Sequence, residues 1–168
     1  MKNVEMQVGR GELVEGFLSL VAAAPAQIRE LTLISPFVQL TTSRGSAGFK
    51  ICQLLADVNA SGGSATLISD DTPARRHDFT AAISAQPDLS SALLLCKNVH
   101  AKCGIATNFT GNHVGFLGSA NLTDAGLHHN AEVVFGVNSR RSAGQGWLLV
   151  GQLRLIIEGI RARSFHLN

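Results

Sequence analysis

Val99-His100-Ala101-Lys102-Cys103-Gly104-Ile105-Ala106 is the stretch on which the reading of this chain turns. Val99, Ala101, Cys103 and Ile105 alternate with His100, Lys102 and Gly104, the period of a β-strand with one face turned inward. On that reading His100 and Lys102 emerge side by side, with Gly104 leaving space beyond them. Ala101, Cys103 and Ile105 enter a core. An imidazole beside a fixed cation suits chemistry on a phosphate ester. It offers a nucleophile or base, and a positive charge for a nonbridging oxygen. Two further segments lie downstream, Gly118-Ser119-Ala120-Asn121 and Asn130-Ala131-Glu132. Ser119 and Asn121 supply neutral donors, and Gly118 lets backbone approach closely. A helix expected from Leu122 would turn its free N–H groups toward the same anion. Glu132 can accept from the second nitrogen of His100 and fix its tautomer. Alone, His-X-Lys also describes a solvated strand edge; the accompanying residues make the site.

Outward from this stretch, apolar runs alternate with amphipathic ones. Strands are expected at Val4 to Val8, Leu31 to Ile34, Ala65 to Ile68, Ala92 to Cys96, Val99 to Ala106, Val114 to Leu117 and Glu132 to Val137. Helical spacing marks Glu12 to Ala24, Ala47 to Val58, a start at Asp71-Thr72-Pro73, a short helix over Leu122 to Leu127, and Gly146 to Arg161. Strands interleaved with helices predict an α/β fold, a mixed sheet flanked by helices. With 168 residues, one domain over residues 1–168 is expected, and that length can bury a real core. The polar loop Thr41 to Gly48 is a candidate lid, although a plain surface loop reads the same way.

Composition bounds the function. Fourteen basic against twelve acidic residues leave a net charge of +2, so a nucleic-acid partner must be argued from local patches. Arg75-Arg76-His77, Arg140-Arg141 and Arg161 with Arg163 are such groups; each is also what a solvated helix end looks like. Arg75, Arg76 and His128 are candidate substrate-binding residues, with Gly118. There is no Tyr, and a stacking platform for single strands is not evident. Cys52, Cys96 and Cys103 read as buried free thiols. No Cys-X-X-Cys or His-X-X-X-His spacing supports a metal site, so no metal and no cofactor are expected. No apolar run is long enough to cross a bilayer, and Phe17 to Ala26 lacks the flanks of a signal peptide, so a cytoplasmic protein with no membrane partner is expected.

Taken together, His100-X-Lys102, Gly118-Ser119-X-Asn121-Leu122-Thr123 with Gly126, and Asn130-Ala131-Glu132 resemble the signature of the phospholipase D superfamily. The likeness covers roughly Val99 to Val137, with a vaguer one at Leu31 to Phe37. One position departs: the family's Asp falls at Thr107, which weakens a structural contact more than the mechanism. The resemblance implies a phospholipase D-like fold and catalysis by His100, Lys102, Ser119, Asn121 and Glu132. One histidine attacks phosphorus and becomes a phosphohistidine; a second protonates the leaving oxygen and then activates water. The chain holds a single His-X-Lys, so the resemblance implies a homodimer with the site across its axis. It favours a metal-independent nuclease acting on DNA, with RNA as the other candidate substrate. Such a nuclease could work with a separate recognition or defence-system partner. A phospholipase or phosphatidyltransferase uses the same residues, and a degenerate dimerisation or nucleic-acid-binding domain is the non-enzymatic alternative.

Overall fold

The computed structural model describes residues 4–9, 11–40, 47–138 and 145–167. The Ser/Thr/Gly loop at 41–46 and Arg140-Arg141 lie outside them. Among the described residues eight strands form one mixed sheet: β1 (Val4–Gly9), β2 (Ile28–Ile34), β3 (Ser64–Asp70), β4 (Leu93–Cys96), β5 (Cys103–Asn108), β6 (His113–Gly118), β7 (Glu132–Asn138) and β8 (Phe165–His166). Their spatial order is β1-β7-β6-β5-β2-β3-β4-β8. β2, β3 and β4 run parallel, and every other neighbouring pair is antiparallel. The α/β expectation with a mixed sheet therefore holds.

Among the described residues four helices flank the sheet: α1 (Glu12–Ala23), α2 (Ala47–Ala60), α3 (Pro73–Ala85) and α4 (Gln145–Arg161). α2 and α3 carry the two parallel crossovers, and right-handed crossovers leave both on one face. Their apolar stripes (Ile51, Leu54, Leu55 and Val58; Phe79 and Ala82) join Val14, Phe17 and Val21 of α1. Together they pack on Leu31, Leu33, Leu67, Leu93, Ala106, Phe116 and Val134. α4 covers the other face with Val150, Leu153, Ile157 and Ile160 against Ile34, Ile68, Cys103, Ile105 and Val137. Because both faces are covered, the central strands read as apolar runs without alternation. α3 starts as its sequence predicts: Thr72 caps it, its hydroxyl accepting from the Arg75 N–H at 3.3 Å, and Pro73 follows at the first helical position.

Two expectations need correction. The strand read from Val99 begins at Cys103. Lys97 and Asn98 form a turn, Asn98 adopting a φ of 58°, and residues 99–102 run unpaired apart from one ladder-like bond from the Gly118 N–H to the Lys102 carbonyl. The helix expected from Leu122 is a five-residue π-turn, Ala125–His129.

Candidate functional site

The direction of each strand brings the sequence motifs to one end of the sheet. β2, β3, β4 and β6 finish there, and β5 and β7 start there. His100 and Lys102 precede β5, Gly118-Ser119 follow β6, and Glu132 opens β7. The run before β5 is anchored by the Val99 N–H, which donates to Asp70 Oδ1 at 3.1 Å. Val99 and Ala101 join the α4-side core, as the alternation requires. His100 is exposed, and its ring makes no hydrogen bond to any other described residue. Lys102 is half-buried and folds back so that Nζ donates to the His100 carbonyl at 3.1 Å. An ammonium held by one carbonyl keeps two further protons for an anion.

Ser119 is held on three sides. Its N–H donates to the Val133 carbonyl at 3.0 Å, its Oγ accepts from the Val133 N–H at 3.0 Å, and the hydroxyl donates to Glu132 Oε2. Glu132, buried at the mouth of β7, thus orients Ser119 directly. The sequence assigned it to His100; among the described residues it accepts from the Ser119 hydroxyl. Asn121 Oδ1 is buried and without a hydrogen-bond partner. A buried acceptor left unmet costs free energy, of order 1–3 kcal/mol.

The glycines around the site have packing roles. A Cβ on Gly118 would lie 2.4 Å from the Val133 carbonyl oxygen, so the close approach that it permits is that of β7. A Cβ on Gly126 would lie 2.4 Å from the Asn121 carbonyl oxygen and 2.8 Å from its nitrogen; this glycine lets the π-turn press on Asn121. The space that Gly104 leaves is filled by Phe116 and Leu33, 2.5 and 2.9 Å from where its Cβ would be, and is not open beside Lys102. The amides after Asn121 are also taken. Leu122 N–H donates to Ser35 Oγ at 3.1 Å, Asp124 N–H to Gln39 Oε1, and Gly126 N–H to Thr123 Oγ1 at 3.1 Å. The expected helix N-terminus therefore has no free N–H groups at these positions for a phosphate.

Other candidates have partners of their own. Arg75 reaches the site end of the sheet, where Nη1 donates to the Val38 carbonyl and pairs with Asp78 at 2.9 Å. Arg76 grips Asp71 through Nε and Nη2 at 2.6 and 2.9 Å and lies over the Phe165 ring. His128 stands 3.9 Å from Glu15 and lines a cavity of about 510 Å³ between α1 and α2. Burial pushes the Cys103 thiol up to about 12 and the Cys52 thiol to about 11, so neither supplies a thiolate nucleophile near neutrality. Among the described residues, no three metal-ligating side chains gather into a metal-holding group. No helix among them is long and apolar enough to cross a membrane.

Thr107, where the resemblance expects an aspartate, is not at this end. It sits five residues beyond Lys102 along β5, about 17 Å away. There it joins a network that sequence reasoning missed. Thr107 Oγ1 meets His113 Nδ1 at 2.9 Å and accepts from Arg154 Nη2 at 3.2 Å. Beside it Arg161 donates to Glu30, Thr32 and Thr66, each at 3.2 Å.

The sequence matches no protein-family model and no curated protein. Solved structures do resemble it. Nuc, a phospholipase D family member from Salmonella typhimurium, superposes with a TM-score of 0.59 at 18% identity over 98% of this chain and 99% of its own. NucT from Helicobacter pylori gives 0.61 at 15% identity over 98% of each chain. TrmBL2, an archaeal chromatin protein that binds DNA, gives 0.56 at 12% identity over 99% of this chain and 55% of its own. The chain has the phospholipase D fold.

Proposed function

We propose that this protein is a metal-independent phosphodiesterase acting on nucleic acid, and that His100 is its nucleophile. The observation that carries the reading is the exposed His100 beside Lys102, at the same end of the sheet as a turn whose Ser119 is fixed by Glu132. A His100 ring nitrogen attacks phosphorus while Lys102, Ser119 and the Asn121 amide N–H groups stabilise the charge gathering on the nonbridging oxygens. The P–O bond to the leaving group breaks as that oxygen takes a proton from a second imidazole. The second imidazole, now neutral, then removes a proton from water as the water displaces His100 from the phosphohistidine.

The second imidazole is His100 of another copy. Support comes from the single motif and from an apolar surface next to it. Leu117, Val133 and Phe135 alternate onto the α4-side face and are exposed, directly beside Gly118, Ser119 and Glu132. Leu148 and Leu149 at the start of α4 are exposed as well. Apolar surface of this kind marks association, and a two-fold axis there would bring two half-sites together. The DNA-binding chromatin protein and Nuc share the fold, which favours nucleic acid as substrate.

The test is degradation of plasmid and of single-stranded DNA in excess EDTA by the wild type and by His100→Ala. Cleavage persists in the chelator, and the variant loses several orders of magnitude in rate, the scale on which deletion of a nucleophile acts. Activity that vanishes in EDTA and returns only with magnesium or manganese overturns the reading, as does a near-normal rate from His100→Ala.

A further inference from the structure

Phe17, Phe79 and Phe116 are buried, as aromatic side chains in a small α/β fold should be. Phe37 is 57% exposed, between Pro36 and Val38, both of which are buried. A lone exposed Phe on a loose loop would mean little. This one sits on a segment tied at almost every position. Ser69 Oγ donates to the Pro36 carbonyl at 3.1 Å, Ser35 Oγ to the Phe37 carbonyl at 2.7 Å, and Arg75 Nη1 to the Val38 carbonyl. The Gln39 N–H donates to the Leu122 carbonyl at 3.1 Å.

These ties place Phe37 beside Asn121. Val38 and Leu122 form a parallel bridge, and both side chains enter the core, at 1% and 0% exposure. Phe37 and Asn121 are the residues immediately before that pair, on adjacent segments about one strand spacing, ~5 Å, apart. With Val38 directed inward, Phe37 leaves the bridge on the outer side. Ser35 locks the two segments together, one hydroxyl serving both the Phe37 carbonyl and the Leu122 N–H.

We propose that Phe37 is a nucleobase-stacking platform, the base-binding subsite beside the scissile phosphate. This rests on the phosphodiesterase reading and deepens it. A flat apolar ring on a backbone with no freedom left to lose is what stacking requires, and every base presents a π-face to it. In a duplex both faces of a base are covered by its neighbours. The subsite therefore takes unpaired nucleotides, and the substrate class it names is single-stranded nucleic acid. The low aromatic content of the chain hides the feature, because one ring beside the phosphate site is enough.

The experiment compares two substrates: a single-stranded DNA oligonucleotide, and a base-free chain of the same length built from tetrahydrofuran phosphodiester units. Wild type, Phe37→Ala, Phe37→Leu and Phe37→Trp are assayed on both, with the oligomeric state and melting temperature of each recorded. Loss of one stacked base raises KM on the oligonucleotide about 5- to 150-fold in the Ala and Leu variants. Their kcat stays near the wild-type value, and Trp keeps the wild-type KM. On the base-free chain all four proteins have the same KM. Equal losses on both substrates, no loss on either, or a loss explained by dissociation of the oligomer overturns the stacking role while leaving the phosphodiesterase reading in place. A wild type that cleaves neither substrate but degrades plasmid overturns the subsite alone; one that degrades none of the three overturns the phosphodiesterase reading, and the subsite with it.

Discussion

The two ends of the sheet both carry polar side chains, and they treat them in opposite ways. At the far end Thr32, Thr66, Thr107 and His113 are buried under α4, and Arg154 and Arg161 reach in to bond them. At the near end His100 is exposed, Lys102 is held by one carbonyl, and Asn121 keeps a buried oxygen unmet. The far network is closed on itself and holds α4 to the sheet; the near constellation is left open. Polar residues that satisfy one another are structural, whereas His100 and Lys102 keep accessible hydrogen-bonding capacity. The contrast also explains Thr107. The one position that departs from the phospholipase D pattern belongs to the closed network, where a hydroxyl can bond both His113 and Arg154.

If the near end is a site held in tension by its supports, disturbing a support should cost activity without removing any reacting group. Gly126→Ala is the sharpest case, because the new Cβ would lie 2.4 Å from the Asn121 carbonyl oxygen. A displacement on the 1 Å scale costs about 10²-fold in rate. Gly16→Ala on α1, with nothing within 4 Å, should leave the rate alone and stabilise the helix by about 1 kcal/mol. Steady-state rates and melting temperatures of the two variants measure the difference. Equal rates would remove the positioning role of the π-turn.

Glu132→Gln should act less strongly. The amide can still accept from Ser119, but without charge, so a rate loss of about tenfold is expected with the fold intact. Because Glu132 works through Ser119, the loss should not add to that of Ser119→Ala in a double-mutant cycle. Full additivity would return Glu132 to an independent role, such as the contact with His100 first expected from the sequence.

The far end should respond to pH and not to substrate. Burial, with Arg154 and Arg29 nearby, lowers the His113 pKa, and Glu30 opposes them. The folded protein then takes up this proton less readily than the unfolded chain does. The stability tied to neutral His113 is complete above about pH 6.5 and is lost as pH falls below it. His113→Gln should therefore show a smaller fall in melting temperature between about pH 7.5 and 5 than the wild type, at unchanged turnover. An identical pH dependence would mean that His113 does not titrate in the unfolding transition.

Local pattern carried most of this architecture, and it failed where long-range contacts decide. The helices and most strands were legible because their apolar residues keep the period of 3.6, or form apolar runs bounded by turn residues. Residues 99–102 alternate like a strand but lack one, since alternation records extended backbone and not whether a neighbour pairs with it. The helical turn starts later than Leu122 because Leu122 is taken into a bridge with Val38, more than eighty residues earlier, and Thr123 caps the turn, its hydroxyl accepting from the Gly126 N–H. The Arg154 and Arg161 network needs α4 laid across β2, β3 and β5, which no local window contains. His100, Lys102, Ser119, Asn121 and Glu132 were all named from spacing, and the structure gathers their segments at one sheet end. The Ser119–Glu132 bond and the place of Phe37 were not legible, because both depend on how separate loops meet.

The central claim is that the open end is half of a site. The direct measurement is the rate of a mixed dimer, one chain wild type and the other His100→Ala, purified through different tags. If one His100 attacks and its two-fold mate supplies the proton, each centre needs both. General acid assistance is worth about 10²–10⁴-fold. The account predicts a mixed dimer far below half the wild-type rate. A mixed dimer at half that rate would show each chain working alone and would contradict it.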